Sequence, residues 1–196
     1  MKYSALRGRR IILGSQSPRR LELLRSLDLD VEVRVVPVDE RFPEHLAPAE
    51  VAEYLAVLKA KAFETPESQE LLITADTVVH LANAVLGKPK DPEEASRMLL
   101  SLSGKTHHVH TGVCVRTSEI TTSFTESTAV TFRDLSEEEI HYYVETYRPM
   151  DKAGAYGIQE WIGRIGISSI EGCYYNVMGL PLNRLYGVLN EIKYRD

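Results

Sequence analysis

The stretch Leu13-Gly14-Ser15-Gln16-Ser17-Pro18-Arg19-Arg20 lies where a predicted strand runs directly into a predicted helix. The apolar run 11–13 is typical of a buried strand, and Gly14 permits a sharp turn after it. Ser17 followed by Pro18 is typical of a helix start, with a serine cap and a proline in the first helical position. The stretch therefore predicts a strand–turn–helix unit.

Arg19 and Arg20 bring positive charge into the first turn of this helix, where the helix dipole favours negative charge. A bound anion would remove the conflict, because free backbone N–H groups, serine hydroxyls and guanidinium groups all bind phosphate. The stretch lacks the Gly-Lys-Ser/Thr ending of a Walker loop, and an ordinary junction with both arginines in solvent fits it as well. The stretch alone therefore leaves both interpretations open.

The composition excludes several classes of protein. With 196 residues, 43% hydrophobic and 26% charged, the chain is typical of a globular protein with a substantial core. Its net charge of −5 argues against a nucleic-acid polymer as partner. We expect no membrane partner and a cytoplasmic location, because no apolar run approaches the roughly 20 residues of a spanning helix and no secretory signal is evident. Cys114 and Cys173 are read as small buried side chains.

Strands and helices alternate early in the chain, and strands cluster later. This order predicts an α/β protein with a mixed sheet, and no shift of composition marks a linker within residues 1–196, so we expect a single domain. Helices are predicted over 21–27, 49–63, 91–104 and 182–192 and from residue 136 onward. Strands are predicted over 11–13, 31–38, 71–73, 78–81, 108–117, 120–132, 161–170 and 173–177.

Charged residues stand at strand ends, helix ends and a glycine-proline turn, where α/β proteins build their sites. They are Arg19, Arg20, Glu40, Lys59, Asp76 and Lys88. Arginine and lysine neutralise a polyphosphate, and two carboxylates hold a divalent ion such as Mg²⁺. Asp76 lies within an apolar β segment and is the best candidate for a base that activates water.

Each of these residues also has a plainer interpretation. Asp76 could cap backbone groups at a strand end, Glu40 could be a solvated side chain, and Lys88 could be a turn residue. Lys59 suits the C-terminal end of its helix, where positive charge is favourable. The histidines at 107, 108 and 110 are read as surface or structural, because alternation along a strand separates the adjacent pair onto opposite faces.

Six blocks of the sequence resemble the Maf family of nucleoside triphosphate pyrophosphatases, in the same order along the chain. They are 13–20, Ala75-Asp76-Thr77-Val78-Val79, Leu86-Gly87-Lys88-Pro89, Leu102-Ser103-Gly104, Ala153-Gly154-Ala155-Tyr156-Gly157-Ile158-Gln159 and Val177-Met178-Gly179-Leu180-Pro181. The resemblance implies a fold like that of inosine triphosphate pyrophosphatases, with a mixed twisted sheet, flanking helices and two lobes around a deep cleft. It also implies hydrolysis of the α,β phosphoanhydride of a nucleoside triphosphate to a monophosphate and pyrophosphate.

The resemblance also implies roles for individual residues. Ser15 and Arg20 match positions that bind the triphosphate, and Lys59 and Lys88 match lysines that contact phosphate. Asp76 matches the proton acceptor. Glu40 matches a carboxylate near a divalent metal, Mg²⁺ or Mn²⁺, to which Asp76 is a second candidate ligand. The family further implies a homodimer.

The block ending in Gln159 resembles the family branch that acts on dTTP and UTP. In that branch Arg19, Thr77 and Gln159 match the positions that set base specificity. A glutamine amide offers one acceptor and one donor, which can pair with the N3–H and a carbonyl of thymine or uracil. Cytosine lacks that N3–H, so the same pairing fails.

The chain departs from the family pattern at two positions. Gly14 replaces the usual alanine, a small change that leaves the turn more permissive. Glu160 replaces the usual glycine directly after Gln159, and a need for positive φ there would strain the loop. Two other functions stay open: house-cleaning of modified nucleotides, and nucleotide binding without turnover in the regulation of septum formation. An acid in an apolar strand favours the enzyme, because a buried carboxylate is costly without a task.

Overall fold

The structure is a computed structural model that describes residues 6, 8–82 and 84–192. Its strands are β1 (Arg10–Leu13), β2 (Val31–Val33), β3 (Glu70–Leu81), β4 (Ala84–Leu86), β5 (Thr106–Arg116), β6 (Thr121–Phe132) and β7 (Ile167–Glu171). Its helices are α1 (Pro18–Arg25), α2 (Pro48–Lys61), α3 (Pro92–Leu102), α4 (Glu137–Tyr147), α5 (Trp161–Gly166), α6 (Tyr174–Val177) and α7 (Leu182–Ile192), with a short 3-10 turn at Ala153–Ala155.

The strands of the described residues form one mixed sheet in the order β2-β1-β3-β5-β6-β7, with β4 paired to β3. β1 pairs in parallel with β2 and β3, whereas the other pairs are antiparallel. β3 is continuous through residues 74–77, where the sequence indicated a break, because β5 pairs with it from Leu72 to His80. Asp76 therefore lies within a regular central strand, opposite Gly112 of β5.

Helix α2 lies close against β3 and β5. A Cβ atom on Gly112 would come within 2.1 Å of the Ala52 carbonyl oxygen, so only glycine permits this approach. On β3, the Thr74 hydroxyl donates to the Ala56 carbonyl at 2.7 Å. These contacts place the last turn of α2, which carries Lys59, beside the middle of β3.

Two main clusters of buried side chains form the core on either side of a cleft. The first joins β1, α1 and α7 and includes Leu13, Leu24, Ile73 and Leu185. The second joins α3, α4 and α5 and includes Leu99, Phe132, Tyr143 and Ile162. The predicted mixed α/β class, with flanking helices and two lobes around a cleft, is confirmed. No helix within the described ranges is long and apolar enough to cross a membrane.

Several element predictions are wrong. Residues 161–166 and 174–177 are helical rather than extended. The isoleucines of 161–170 favour a strand by propensity, but propensity yields to packing: Ile162, Gly163 and Gly166 are buried at helical spacing. The strand predicted over 31–38 ends at Val33, because its partner β1 ends at Leu13 and leaves nothing further to pair with.

Candidate active site

A cleft of about 480 Å³ opens between the two lobes. Every residue that the sequence analysis assigned to the site lines this one cleft, although they are spread over 145 positions of the chain. They are Ser15, Arg19, Arg20, Glu40, Lys59, Asp76, Thr77, Lys88 and Gln159. The structure thus brings all the predicted positions together, and their individual contacts indicate what each can do.

The turn after β1 holds Arg20 in the cleft. Ser17 caps α1 by accepting a hydrogen bond from the Arg20 backbone N–H at 3.5 Å. The Arg20 guanidinium donates to the Ser15 hydroxyl at 3.1 Å and to the carbonyl oxygens of Ala75 and Gly179, each at 2.9 Å. Burial lowers the pKa of Arg20, and the nearby carboxylate of Asp76 opposes that effect. Arg20 is therefore fixed within the cleft rather than extended into solvent.

Thr77 and Arg19 have protein partners of their own. Arg20 Nη2 donates to Thr77 Oγ1 at 3.0 Å, and Thr77 Oγ1 shares a further 3.0 Å hydrogen bond with Thr111. Arg19 Nη1 donates to Asp151 Oδ2 at 2.7 Å. Burial alone would raise the pKa of Asp151, but hydrogen bonds from Lys152 and Arg19 outweigh it and lower that pKa to about 2. Arg19 thus joins α1 to the opposite wall of the cleft.

Lys59 lies between two carboxylates. Its ammonium group pairs with Asp76 Oδ1 and, at 3.1 Å, with Glu40 Oε1. The Asp76 side chain is 14% exposed, whereas that of Glu40 is 55% exposed. Because both carboxylates reach the same ammonium group, their oxygens converge on one region of the cleft. Such a set of oxygen ligands fits Mg²⁺ or Mn²⁺, which keep further positions for phosphate oxygens and water.

Lys88 lies on the exposed segment that follows β4. The Gly87 carbonyl next to it accepts a hydrogen bond from the Gly154 N–H at 3.1 Å. This bond ties the segment to the 3-10 turn, where Gly154 and Ala155 have φ values of 69° and 59°. The Lys88 ammonium group is therefore carried on a long side chain from a backbone segment that is hydrogen-bonded to the 3-10 turn, and Lys88 lines the cleft from the lobe opposite Arg20.

Gln159 contributes an unpaired acceptor. Its Oε1 atom is buried and has no hydrogen-bond partner among the described residues. A buried unpaired amide oxygen is costly, so its presence in a cleft indicates a site for a ligand donor. Tyr156 and Gly157 line the cleft beside it.

Asp151 and Lys152 also line the cleft, and the sequence analysis missed both. Lys152 is only 7% exposed and pairs with Asp151 Oδ1 at 2.7 Å. The available signal was an adjacent pair of opposite charges directly before the glycine-rich block 153–159, a position that is unusual for a solvated pair.

The two departures from the family pattern have clear structural outcomes. Glu160 has an extended backbone with φ −87°, so the expected strain from positive φ is absent. Gly14 lies close to β3: a Cβ atom there would lie 2.7 Å from the Thr74 methyl group, so alanine at this position would require a local shift. Glycine at position 14 therefore permits a close approach of the turn to β3.

The histidines form buried and half-buried contacts along the sheet. His107 is fully buried, and its Nε2 shares a 2.7 Å hydrogen bond with the Tyr156 hydroxyl. Burial, with a smaller contribution from His108, lowers the pKa of His107 to about 4. His110 shares a 2.8 Å hydrogen bond with the Ser127 hydroxyl. Within residues 8–82 and 84–192, no group of three His, Cys, Asp or Glu is arranged to hold a metal ion.

Comparison with known proteins gives the class of this chain. A family model described as Maf-like protein matches residues 10–192, and the chain belongs to the Maf-like protein family. A relative from Bacteroides thetaiotaomicron, named dTTP/UTP pyrophosphatase, is 56% identical over 93% of this chain and 95% of its own. A Porphyromonas gingivalis protein with the same name is 55% identical over 94% of this chain and 93% of its own.

The fold also resembles that of a more distant solved protein. The Staphylococcus aureus Ham1 protein superposes with a TM-score of 0.51 at 14% identity, covering 93% of this chain and 99% of its own. At this identity the similarity extends to the fold alone. It agrees with the mixed sheet and flanking helices described above.

Proposed function

We propose that this protein is a nucleoside triphosphate pyrophosphatase that hydrolyses dTTP and UTP to the monophosphate and pyrophosphate. The observation that carries the proposal is the meeting, in one cleft, of Arg20, Lys59 and Lys88 with the carboxylates of Glu40 and Asp76. The names of the relatives at 55–56% identity support the same reaction and the same bases. We call the region around Ser15, Arg20, Lys59 and Asp76 the phosphate end and the region around Lys152, Tyr156, Gly157 and Gln159 the base end.

At the phosphate end, Arg20 and Ser15 bind the triphosphate. The hydrogen bonds of Arg20 to carbonyl and hydroxyl oxygens fix its guanidinium plane without neutralising its charge. A fixed cation stabilises charge that develops on the leaving pyrophosphate, the main electrostatic requirement of phosphoryl transfer. Lys88 approaches from the other lobe and supplies a second positive charge.

Asp76 accepts the proton of the attacking water. The water oxygen attacks the α-phosphorus, the bond from that phosphorus to the bridging oxygen breaks, and pyrophosphate leaves. The carboxylate of Asp76 takes the proton that the water loses. Its place in the middle of β3 and its contact with Lys59 restrict its orientation, which is what a general base needs.

Glu40 and Asp76 would hold the divalent metal, Mg²⁺ or Mn²⁺. When bound, such an ion polarises phosphate oxygens and offsets their negative charge. Lys59 contacts both carboxylates and keeps them facing the same region. The proposal therefore includes a requirement for a divalent metal, which is tested by comparing pyrophosphate release with and without Mg²⁺ or Mn²⁺.

At the base end, Gln159 reads the pyrimidine. Its buried, unpaired Oε1 atom can accept the N3–H of thymine or uracil, and its amide N–H₂ can donate to a carbonyl of the base. Cytosine has no N3–H and carries an amino group in place of the O4 carbonyl, so the same pair of hydrogen bonds cannot form with a base in the same position. Arg19 and Thr77, the other two positions matched to specificity, act through their contacts with Asp151 and Arg20.

The test is the release of pyrophosphate from a panel of nucleoside triphosphates, with and without Mg²⁺ or Mn²⁺. We expect turnover of dTTP and UTP above that of CTP, dependent on the metal. Faster turnover of modified nucleotides would favour house-cleaning instead. Binding without any turnover would favour a regulator of septum formation.

Three further predictions accompany this function. The single domain over residues 1–196, the homodimer and the cytoplasmic location stay predictions. Size-exclusion chromatography with light scattering tests the dimer, and limited proteolysis tests the domain.

A further inference from the structure

The side chain of Glu160 folds back over the turn that presents Gln159. The backbone N–H of Glu160 donates to the Gly157 carbonyl at 3.0 Å and closes the turn 157–160. A Cβ atom on Gly157 would lie 2.8 Å from the Glu160 carboxyl carbon, so the carboxylate packs directly on this glycine. Glu160 precedes α5 but makes no side-chain capping bond to that helix. Its carboxylate is therefore available for other contacts.

One carboxylate oxygen of Glu160 accepts a hydrogen bond from Tyr143. The Tyr143 side chain is fully buried on α4, and its hydroxyl oxygen also accepts from the Gly157 N–H at 3.0 Å. Burial, and the adjacent Glu160 carboxylate, raise the pKa of Tyr143 and keep its hydroxyl protonated. The hydroxyl thus links both ends of the turn 157–160 to the second core.

The other carboxylate oxygen of Glu160 pairs with Lys152 Nζ at 3.2 Å. Lys152 also pairs with Asp151, which in turn accepts a 2.7 Å hydrogen bond from Arg19 of α1. Positive and negative groups therefore alternate from Glu160 across the cleft to the first lobe. This alternation stabilises the positions of the side chains, because each charged group is attracted to a neighbour of opposite charge.

We propose that Glu160 is a positioning residue for base recognition: it holds the turn 157–160 against Tyr143 and Lys152, so that the Gln159 amide faces the pyrimidine. The inference rests on the proposed function of the cleft and extends it to a residue that does not touch substrate. In this arrangement the selectivity for thymine and uracil depends on the Glu160 side chain, whereas bond cleavage at Asp76 does not.

The direct test is Glu160→Ala, with Glu138→Ala as the matched control, an exposed glutamate of α4 outside the cleft. Steady-state kinetics are measured with dTTP, with CTP and with 2′-deoxyribose 5′-triphosphate, which carries no base. For Glu160→Ala we expect KM for dTTP to rise about tenfold and the dTTP-to-CTP preference to fall about tenfold, since a displacement near 1 Å costs up to about a hundredfold. kcat, and the kinetics of the base-free triphosphate, stay within about threefold.

A purely structural role for Glu160 predicts a different pattern. Glu160→Ala would then lower the melting temperature and reduce turnover of all three substrates alike, and an unchanged dTTP-to-CTP ratio overturns the inference. Glu160→Gln, which keeps an acceptor for Tyr143, should restore most of the preference. Tyr143→Phe should lower it, and the double variant with Glu160→Ala should add little to either single change.

Failure of the proposed function gives a separate result. If the unsubstituted protein hydrolyses no nucleotide, the ratio of dissociation constants for dTTP and CTP, measured by calorimetry, replaces the kinetic ratio. A preference for dTTP that Glu160→Ala abolishes supports the inference even then. Equal ratios in both proteins, or no binding of dTTP by the unsubstituted protein, contradict it.

Discussion

The two ends of the cleft are built in different ways. Apart from Ser15 in the turn after β1, the phosphate end stands on regular elements: the first turn of α1 for Arg20, the last turn of α2 for Lys59 and the middle of β3 for Asp76. The base end stands on irregular backbone, including the 3-10 turn whose Gly154 and Ala155 have positive φ. Regular elements fix the positions of charged groups, whereas irregular backbone can shape a pocket around one kind of base.

The charges at the two ends also differ. The hydrogen-bond partners of Arg20 in the described chain are neutral oxygens, so its positive charge stays available for phosphate. At the base end, Lys152 is paired with the carboxylates of Asp151 and Glu160, and Arg19, which reaches Asp151 from α1, is paired as well. The base end therefore has little unmatched charge to offer a triphosphate. Under the proposed function, this end binds a neutral base through hydrogen bonds, and the contrast predicts the orientation of the bound nucleotide.

The largest expected effect is at the phosphate end. Asp76→Asn should lower kcat by about two to four orders of magnitude, because it removes the general base. The loss should be equal for dTTP, UTP and CTP, since Asp76 does not contact the base. Pyrophosphate release measures the rate, and calorimetry with dTTP checks that binding persists. Near-normal turnover by a variant that binds dTTP would remove Asp76 from the mechanism.

A second effect concerns the stability of the base end, through His107 beneath Tyr156. Its pKa is about 4 when folded, against about 6.5 when unfolded, because burial disfavours the charged ring. Well above pH 6.5 the ring is neutral in both the folded and the unfolded state, so its contribution to the free energy of unfolding is at its maximum. As pH falls from 6.5 to 4 the unfolded chain binds the extra proton, so the free energy of unfolding falls by about 3 kcal/mol.

Urea unfolding at pH 7 and pH 4.5 measures this contribution. His107→Phe should show a smaller loss of stability on acidification than the unsubstituted protein. His108→Phe, at an exposed ring one residue away on the opposite face of β5, should retain the larger loss. The same loss in all three proteins would show that other groups cause the pH dependence.

The smallest effect is selective for the base. Gln159→Ala should reduce the preference for dTTP and UTP over CTP about tenfold. A tenfold change corresponds to about 1.4 kcal/mol, which is the typical contribution of one hydrogen bond. kcat for CTP should change little, because the phosphate end is intact. The ratio of kcat/KM values measures the effect, with Gln69→Ala, an exposed glutamine outside the cleft, as control. Unchanged ratios would place base reading elsewhere.

The elements with clear local signals were predicted correctly. Ser17 caps α1, Ser136 and Glu139 form a capping box at the start of α4, and the last helix spans Leu182–Ile192. These signals act within one turn of chain and need no partner. The wrong predictions at 161–166 and 174–177 concern short segments in which isoleucine, tyrosine and valine favour strands while tertiary packing favours helices. The remainder of the first prediction, 167–170, does lie in β7.

The candidate site divides in the same way. The residues of the conspicuous blocks, such as Arg20, Asp76 and Gln159, could be named from the sequence and from its resemblance to the family. Asp151 and Lys152 were missed, because the adjacent charge pair before block 153–159 is a weak signal and the contacts of these residues, Asp151 with Arg19 and Lys152 with Glu160, are made only in the folded chain. An ion pair between distant residues leaves no periodic pattern.

The sequence by itself determined the strand–turn–helix at residues 13–20, the mixed α/β class, the family and a set of candidate site residues that line one cleft. Hydrophobic periodicity, caps and short motifs are local, so they can be read without coordinates. Only the tertiary structure decided that the hydrogen-bond acceptors of Arg20 in the described chain are neutral oxygens and that Gln159 Oε1 is buried without a partner among the described residues. It also decided that Glu160 contacts Tyr143 and Lys152. Those properties depend on burial and on charges from both lobes, which meet only when the sheet closes the cleft.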